Sequence, residues 1–484
     1  MPPLLILTAA AVTGILVSRW SEFTFFFWWI FLFISLGSAC FPKLKLFSVL
    51  FFFLCLYAIR FQVVWREKMR DPLKNMDHYK IILKLQPISD PFFKGKTFRF
   101  TAEVLGIRSQ AKWIPVQASV SVYSLEKVSE QERVEAVGTL SPVKFLYFQE
   151  KGIHHSFFAW KVLRMEKNKG GFPLFFLKVR KALEQWILFS LPPPYSQISL
   201  GIFLGNHALI PPDILRDFQV TGTYHVLVAS GLKTAFVAGA AWFVFSETGF
   251  YPQIFLSMIS VLFYVFVVGA EPPILRAGIM TLFGFFGILI GRKKDSLNIF
   301  LLTALILLFA DPVWLFEVGF QLSFSAVLGI LTMCDKIQRK LKFLPSWISA
   351  SISVSLSSML PILVPVAYYF HYVSYAALFA NLLVVPLTLV SMIMGMISFL
   401  LGFLWKPFGL AFSFWNQLVL EVMLRVIRFF AHLPFAYQNL APPGFLTGFL
   451  FYSFLFGFWL WLTEHPYGKW VMGISLIYLF IWLI

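Results

Sequence analysis

Long apolar runs separated by short polar breaks set the pattern of this chain. Runs near 3–19, 23–40, 45–65, 250–270, 273–291, 345–368, 373–402 and 408–432 are about as long as a helix needs to cross a bilayer. Further runs near 222–246, 296–310, 312–333, 446–462 and 469–484 read the same way, for about thirteen spans in all. The 222–246 segment is open to a break. Between 66 and 171 the pattern changes: short alternating segments at 97–105, 116–123, 134–140 and 156–163 predict strands. A small β-barrel of about five strands fits, with an OB-fold as the leading candidate. Residues 173–190 predict an amphipathic helix lying at the interface, with Lys178, Arg180, Lys181 and Glu184 on one side; Pro192-Pro193-Pro194 ends it.

The expected architecture is a polytopic α-helical membrane protein with an inserted, extracytoplasmic, OB-like small β-barrel. Its parts are N-terminal transmembrane helices (1–65), the barrel domain (66–172), the interfacial helix (173–194) and a second transmembrane domain (195–484). Composition agrees. With 59% hydrophobic and only 13% charged residues, the chain departs from soluble proteins, which are roughly a quarter charged. The net charge of +17 suits anionic headgroups, retained cytoplasmic loops or a polyanionic ligand, and does not choose among them. The segment 66–171 carries roughly +8 of it. The N-terminus has no basic n-region and reads as a retained first span. Cys40, Cys55 and Cys334 lie in or beside apolar runs without a CxxC, so neither a disulfide framework nor a thiolate metal site is expected.

Charge bias orients the spans. The clusters Lys43/Lys45, Arg292-Lys293-Lys294, Lys336/Arg339/Lys340/Lys342 and Lys406 fall on one side, which the positive-inside rule makes cytoplasmic. The 66–172 domain and the C-terminus are then extracytoplasmic.

Candidate chemistry concentrates in 201–239. An amphipathic turn carrying Asp213, Arg216 and Asp217 passes into an apolar run that still contains His225, Ser230 and Lys233. Polar groups at membrane depth cost free energy unless they meet a partner or water, so they point to a path or a site. Lys233 lies about eleven residues into its segment, and snorkelling from there requires a tilt or a break near Gly231.

Four blocks carry a family resemblance. Gly222-Thr223-Tyr224-His225-Val226-Leu227-Val228-Ala229-Ser230-Gly231-Leu232 resembles the central motif of ComEC-type competence proteins. Pro273-Ile274-Leu275-Arg276-Ala277-Gly278-Ile279-Met280 is similar to that family's Pro-x-x-Arg-Ala-x-x-Met helix. Asp311-Pro312 followed by Val318-Gly319-Phe320-Gln321-Leu322-Ser323-Phe324 resembles its third block. Val373-Ser374 with Asn381-Leu382-Leu383-Val384-Val385-Pro386 resembles its fourth.

The resemblance implies an inner-membrane channel, not an enzyme, that admits single-stranded DNA during natural transformation and uses no cofactor or metal. It implies separate DNA-receptor, motor and nuclease proteins as partners, contact with membrane lipid, and leaves homo-oligomerisation open. Many members of that family carry a metallo-β-lactamase-like domain with a His-x-His-x-Asp-His motif. The chain contains no such motif, so strand degradation is expected from another protein. Lys233 stands where the family usually has His, which puts a two-His site there in doubt.

Moving a polyanion across a bilayer requires a wet groove with spaced cations and hydrogen-bond donors. The expected lining is His225, Ser230, Lys233, Arg276, Glu317, Gln321, Ser323 and Asn381, with Ser325 of the same neutral kind and Glu317 placed to pair with Lys233 or Arg276. Structural readings stand beside these. Arg276 at a span end suits snorkelling, Glu317 with Gln321 suits a tie between helices, and Asn381 with Pro386 suits a kink. Glu421, Arg425 and Arg428 read as a helix-face ion pair with a boundary charge. In the barrel, Phe98, Trp113, Tyr123 and Trp160, with Phe100, are candidate stackers for single-stranded DNA, against the alternative that they fill the barrel.

Two other functions remain open. A Ser/His pair at Ser230 and His225 suits an intramembrane serine hydrolase, although residues five apart diverge by about 140° on a regular helix. A transporter of another anionic polymer or lipid-linked precursor would use similar spans, with Pro361, Pro365 and Pro386 in broken helices.

Overall fold

The computed structural model describes residues 3–20, 45–69, 71, 73, 80–87, 92–94, 97–109, 112–114, 116, 118–125, 132–143, 153–167, 172–207, 209–228, 231–269, 272–289, 295–465, 467 and 470–473. The expected span at 23–40 and most of that at 469–484 lie outside them. The chain divides into two compact units, Met1–Phe175 with Leu305–Val313, and Phe176–Ala304 with Trp314–Ile484.

The first unit opens with two paired helices, α1 (Pro3–Trp20) and α2 (Lys45–Met69). In an apolar environment such pairs gain little from the hydrophobic effect and rely on close packing of small residues. Gly14 provides that: a Cβ there would fall 2.1 Å from the Leu54 carbonyl oxygen. One turn on, the Ser18 hydroxyl donates to the Ala58 carbonyl at 3.2 Å. A second set of α2 side chains grips the end of the Ser296–Ala310 helix. Tyr57 donates to the Leu305 carbonyl at 2.7 Å, and Arg60 to those of Phe309 and Ala310, each at 2.9 Å. Lys68 pairs with Asp311 at 2.6 Å. Cations at a helix C-terminus satisfy carbonyls that lack intrahelical donors and oppose the negative end of the dipole.

The rest of this unit is a β-barrel of β1 (Lys80–Pro87), β2 (Phe92–Lys94), β3 (Thr97–Ser109), β4 (Lys112–Ile114), β5 (Ala118–Ser124), β6 (Glu132–Pro142) and β7 (Ile153–Lys167). The order β1-β6-β7-β5-β3 closes on itself through β1–β3 pairing, while β2 and β4 are short partners of β3. Pairing is antiparallel except between β5 and β7. Alternation supplies the core: Leu83, Leu85, Phe100, Val104, Val120, Val122 and Phe157 point inward and are buried. The predicted strands match β3, β5, β6 and β7. β1 was not foreseen because Ile81-Ile82-Leu83 blurs its two-residue period. Buried His155 on β7 holds Asp71 with its Nε2 at 2.9 Å.

The second unit is helical. Its elements are α3 (Phe172–Ser190), α4 (Tyr195–Leu204), α5 (Pro212–Val220), α6 (Gly231–Val244), α7 (Phe250–Val268), α8 (Pro272–Leu289), α9 (Ser296–Ala310), α10 (Val318–Lys340), α11 (Ser346–Phe370), α12 (Ala377–Leu404), α13 (Lys406–Ala431) and α14 (Phe445–Leu462), with α9 and the first residues of α3 divided between the units. A short ladder joins β8 (Tyr372–Ser374) to β9 (Tyr437–Asn439).

Among the described residues six helices are long and apolar enough to span a bilayer: Val49–Arg66 within α2, then α7, α10, α11, α12 and α13. Six further apolar helices are shorter, α6, α8 and α9 among them. The chain is thus a polytopic helical membrane protein carrying a small β-barrel. Large apolar side chains left outward, such as Phe243 (80% exposed) and Phe403 (87%), suit a lipid-facing surface.

Helix pairing again relies on small residues. Between α12 and α13, Ser391 donates to Asn416 at 2.7 Å and Ser398 meets Ser413 at 2.6 Å, while Trp186 of α3 donates to Ser398 at 3.0 Å. Between α10 and α11, Pro361 has no N–H for the Ser357 carbonyl. Gly329 of α10 lies against that oxygen, which would sit 2.0 Å from a Cβ there. α3 buries Phe176 and Ile187, exposes Lys178 together with Phe175, Leu188 and Phe189, and donates from Arg180 to the Val268 carbonyl at 3.0 Å.

Candidate functional site

The site is built from the segment that connects α5 to α6. Pro212 begins α5, whose Ile214, Phe218 and Val220 are buried while Asp213 and Arg216 face outward. The helix ends in a Schellman arrangement: Thr223 N–H donates to the Phe218 carbonyl and Gly222 N–H to that of Gln219, each at 2.9 Å. Gly222 has φ +66°, the left-handed region, and its missing Cβ would lie 2.6 Å from the Ala377 Cβ and 3.3 Å from that of Ser374. Only glycine meets both demands. Thr223 is fully buried, its hydroxyl 2.9 Å from that of Thr221.

A single 3₁₀ turn, Tyr224–Val226, follows. The predicted 222–246 span is therefore broken: its long helical part begins only at Gly231. His225 sits on the turn, exposed, with Nδ1 3.2 Å from the Gly222 carbonyl. Ser230 lies outside the described residues.

Lys233 is 1% exposed, and its ammonium donates to the Gly201 carbonyl at 3.2 Å and the Val228 carbonyl at 2.9 Å. Gly201 belongs to the last turn of α4, so the cation caps a helix C-terminus, where the dipole favours it. That bonding makes Lys233 a positioning group. It fastens the start of α6 to α4 and to the loop before it.

Arg276 on α8 is 4% exposed. Its guanidinium stands over the Phe324 ring, 5.4 Å from the centroid, and Nη2 lies 3.2 Å from where a Gly231 Cβ would be. Nε and Nη1 are buried without a hydrogen-bond partner. Phe324 stacks on Phe320 at 4.1 Å and meets Phe300 at 5.2 Å. Burial excludes a snorkelling role for this arginine, and its environment leaves two donors unanswered.

Gln321 donates to the Leu315 carbonyl at 3.0 Å and accepts from Tyr369 at 3.1 Å, which ties α10 to α11 and to the turn Pro312–Phe316. Glu317 occupies the N-cap position of α10, with Ser323 half-buried two turns on. Asp311 accepts from the Val313 N–H at 3.1 Å and so starts that turn. Asn381 lies on α12 with a buried, unpartnered Oδ1, as does the Ser374 hydroxyl before that helix. Pro386 sits inside α12 without ending it.

The four blocks are thus one connected structure. The Gly222 end of the first touches Ser374 and Ala377 of the fourth, and its Gly231 end touches Arg276 of the second. Arg276 in turn rests on Phe324 of the third. Spacing along the chain gave no sign of Phe324 as the aromatic seat of that arginine.

In the barrel, Arg99, Tyr123 and Phe158 are register partners on β3, β5 and β7. The Arg99 guanidinium lies 4.9 Å from the Tyr123 ring centroid, and Tyr123 stacks with Phe158 at 6.1 Å. Phe158 is 42% exposed on β7, and Trp160 (44%), two residues on, sits where the β6–β7 register shifts. Phe98 has the parity of buried Phe100 and Ala102 and is half-buried, so it does not join them. The Trp113 side chain lies outside the described residues. Phe158 and Arg99 were legible only through strand parity combined with pairing.

The chain is 25% identical to ComE operon protein 3 of Bacillus subtilis over 215 residues, 44% of this chain and 27% of that protein. It is 36% identical over 125 residues to an uncharacterized protein of Aquifex aeolicus (25% of this chain, 29% of that protein). It is also 30% identical over 151 residues to the uncharacterized Escherichia coli protein YcaI (29% and 20%). The matches thus span less than a third of each of these relatives. No solved structure matches the chain. The family described as Competence protein matches residues 202–465, which hold all four connected blocks. The chain belongs to the competence protein family.

Proposed function

We propose that this protein provides a path through the cytoplasmic membrane for a single DNA strand during uptake by a competent cell. The observation that carries the reading is Arg276: a buried guanidinium, unpartnered at two nitrogens, where three family blocks meet. A fixed cation without a protein counter-ion suits a mobile polyanion better than it suits a structural ion pair. Membership of the competence protein family and the likeness to ComE operon protein 3 support the same role. The activity is conduction, without covalent chemistry on the strand.

The barrel extends the reading. Its strand order, with β5 and β7 the parallel pair, supports an OB-like fold, and such barrels bind single strands by stacking bases on aromatic faces. Arg99, Tyr123 and Phe158 form a face of that composition, and Trp160 is exposed two residues beyond Phe158. Charge bias along the sequence puts this domain on the extracytoplasmic side.

The test is uptake of fluorescently labelled DNA into nuclease-protected form by cells carrying, lacking or re-expressing this chain. Loss on deletion with recovery on re-expression is expected. Unchanged uptake in the deletion strain refutes the role.

A further inference from the structure

We infer that the N-terminal turn of α6 and the guanidinium of Arg276 together form a site for a single phosphodiester group. The inference rests on the DNA-path reading for the identity of the ligand, but its geometry stands alone. The first turn of a helix carries N–H groups with no intrahelical acceptor, at the positive end of the dipole, and phosphate is a common occupant of such ends. α6 is a 14-residue helix, long enough for that field.

The independent observation is the arginine. Arg276 Nη2 lies beside Gly231, the first residue of α6, while Nε and Nη1 are buried and unpartnered. Among the described residues neither Arg276 nor Lys233 has an ion pair. A buried guanidinium and a helix N-terminus thus meet at Gly231 without an anion. An uncompensated buried charge is costly, so the arrangement favours a ligand that brings the negative charge.

The Phe324 ring under the guanidinium holds its plane, as a stacked arginine allows and a lysine does not. Gly231 lets the guanidinium lie against the helix start, since a Cβ there would be 3.2 Å from Nη2 and 3.5 Å from the Ala277 Cβ. A phosphodiester carries one negative charge and acceptor oxygens for both the fork and the helix N–H groups. One such site holds a strand loosely enough to release it, as conduction requires.

The experiment uses the full chain in nanodiscs of zwitterionic lipid, with a parallel set containing phosphatidylglycerol. Arg276 is labelled with phenylglyoxal and quantified by mass spectrometry in the presence of inorganic phosphate, an oligo-dT, or the same oligomer with a neutral methylphosphonate backbone. Binding of fluorescent oligo-dT is measured in parallel for the native chain, Arg276→Lys, Arg276→Ala and Gly231→Ala. Phosphate and oligo-dT are expected to slow labelling, the neutral oligomer is not, and both Arg276 variants should weaken oligo-dT binding roughly tenfold or more.

The site is overturned if neither phosphate nor oligo-dT protects Arg276 in the native chain, a readout that does not depend on any variant folding. It is also overturned if Arg276→Lys binds like the native chain. Protection by phosphatidylglycerol in the nanodisc but not by oligo-dT makes it a lipid headgroup site and overturns the strand assignment. If oligo-dT protects Arg276 while gene deletion leaves DNA uptake intact, the site stands and the transport role falls. If uptake needs the chain but Arg276 is unprotected, the reverse holds.

Discussion

Replacing Lys233 with methionine tests whether this buried cation positions the backbone or touches the strand. Its ammonium donates to the Gly201 and Val228 carbonyls. Hydrogen bonds to a charged group contribute about 1.5–3 kcal/mol each, so the pair is worth about 3–6 kcal/mol. Against that stands the desolvation of an ammonium, several kcal/mol even after relaxation. Methionine keeps most of the buried stem, and the Gly201 carbonyl retains the Gly205 N–H at 3.0 Å, so of the two carbonyls only that of Val228 is left without a described partner. The net cost of Lys233→Met is therefore expected to be small, about 1–2 kcal/mol. Lys233→Ala adds the loss of roughly three methylenes at about 0.8 kcal/mol each, for a total near 3–5 kcal/mol. Thermal unfolding followed by tryptophan fluorescence in detergent gives the ranking, with DNA uptake measured on the same variants. Lys233→Met should stay folded and retain uptake, while Lys233→Ala should lose both together. A Lys233→Met protein as stable as the native chain yet devoid of uptake would refute the positioning role. It would place the ammonium on the strand instead.

Gly222→Ala combines a left-handed φ with a Cβ contact at 2.6 Å, so a loss of about 2–4 kcal/mol is expected in the same unfolding assay. A variant of unchanged stability would show that the α5–α12 contact is looser than described. Asp217 lies outside the spans, and partial burial raises its carboxyl pKa despite nearby His432, Arg428 and Arg216. An acid weaker in the folded than in the unfolded state loses stability as pH rises from the ordinary carboxylate range through the folded pKa. Asp217→Asn should therefore raise the melting midpoint at neutral pH and leave it unchanged in acid; a midpoint lowered at neutral pH contradicts this. For the partly buried Lys68–Asp311 pair, a double-mutant cycle with Met and Asn should give a coupling of about 1–2 kcal/mol, and additivity would dismiss the bridge.

What the chain reveals alone, and what it withholds, follows from the range of the forces involved. Helix-forming apolar runs announce themselves because a bilayer span must satisfy its own backbone, which is a local requirement. The paired strands β3, β5, β6 and β7 show equally well, since the two-residue period is local. β1 escaped because apolar Ile82, between Ile81 and Leu83, interrupts its alternation, and only closure against β3 and β6 identifies it. The break at Gly222 was half legible: a glycine after an amphipathic turn suggests a cap, but the Ala377 contact that also excludes a side chain lies 155 residues away. His225, Lys233 and Arg276 stood out as costly residues in apolar surroundings, yet their chemistry did not. Lys233 turns to carbonyls of α4 and of the loop before α6, Arg276 rests on Phe324 with two donors open, and the His225 imidazole stays accessible beside the Gly222 carbonyl. Residue type determined that these groups carry a free-energy cost at membrane depth. Which of them meets a partner depends on helices brought together from distant parts of the chain, and only the folded arrangement decides that.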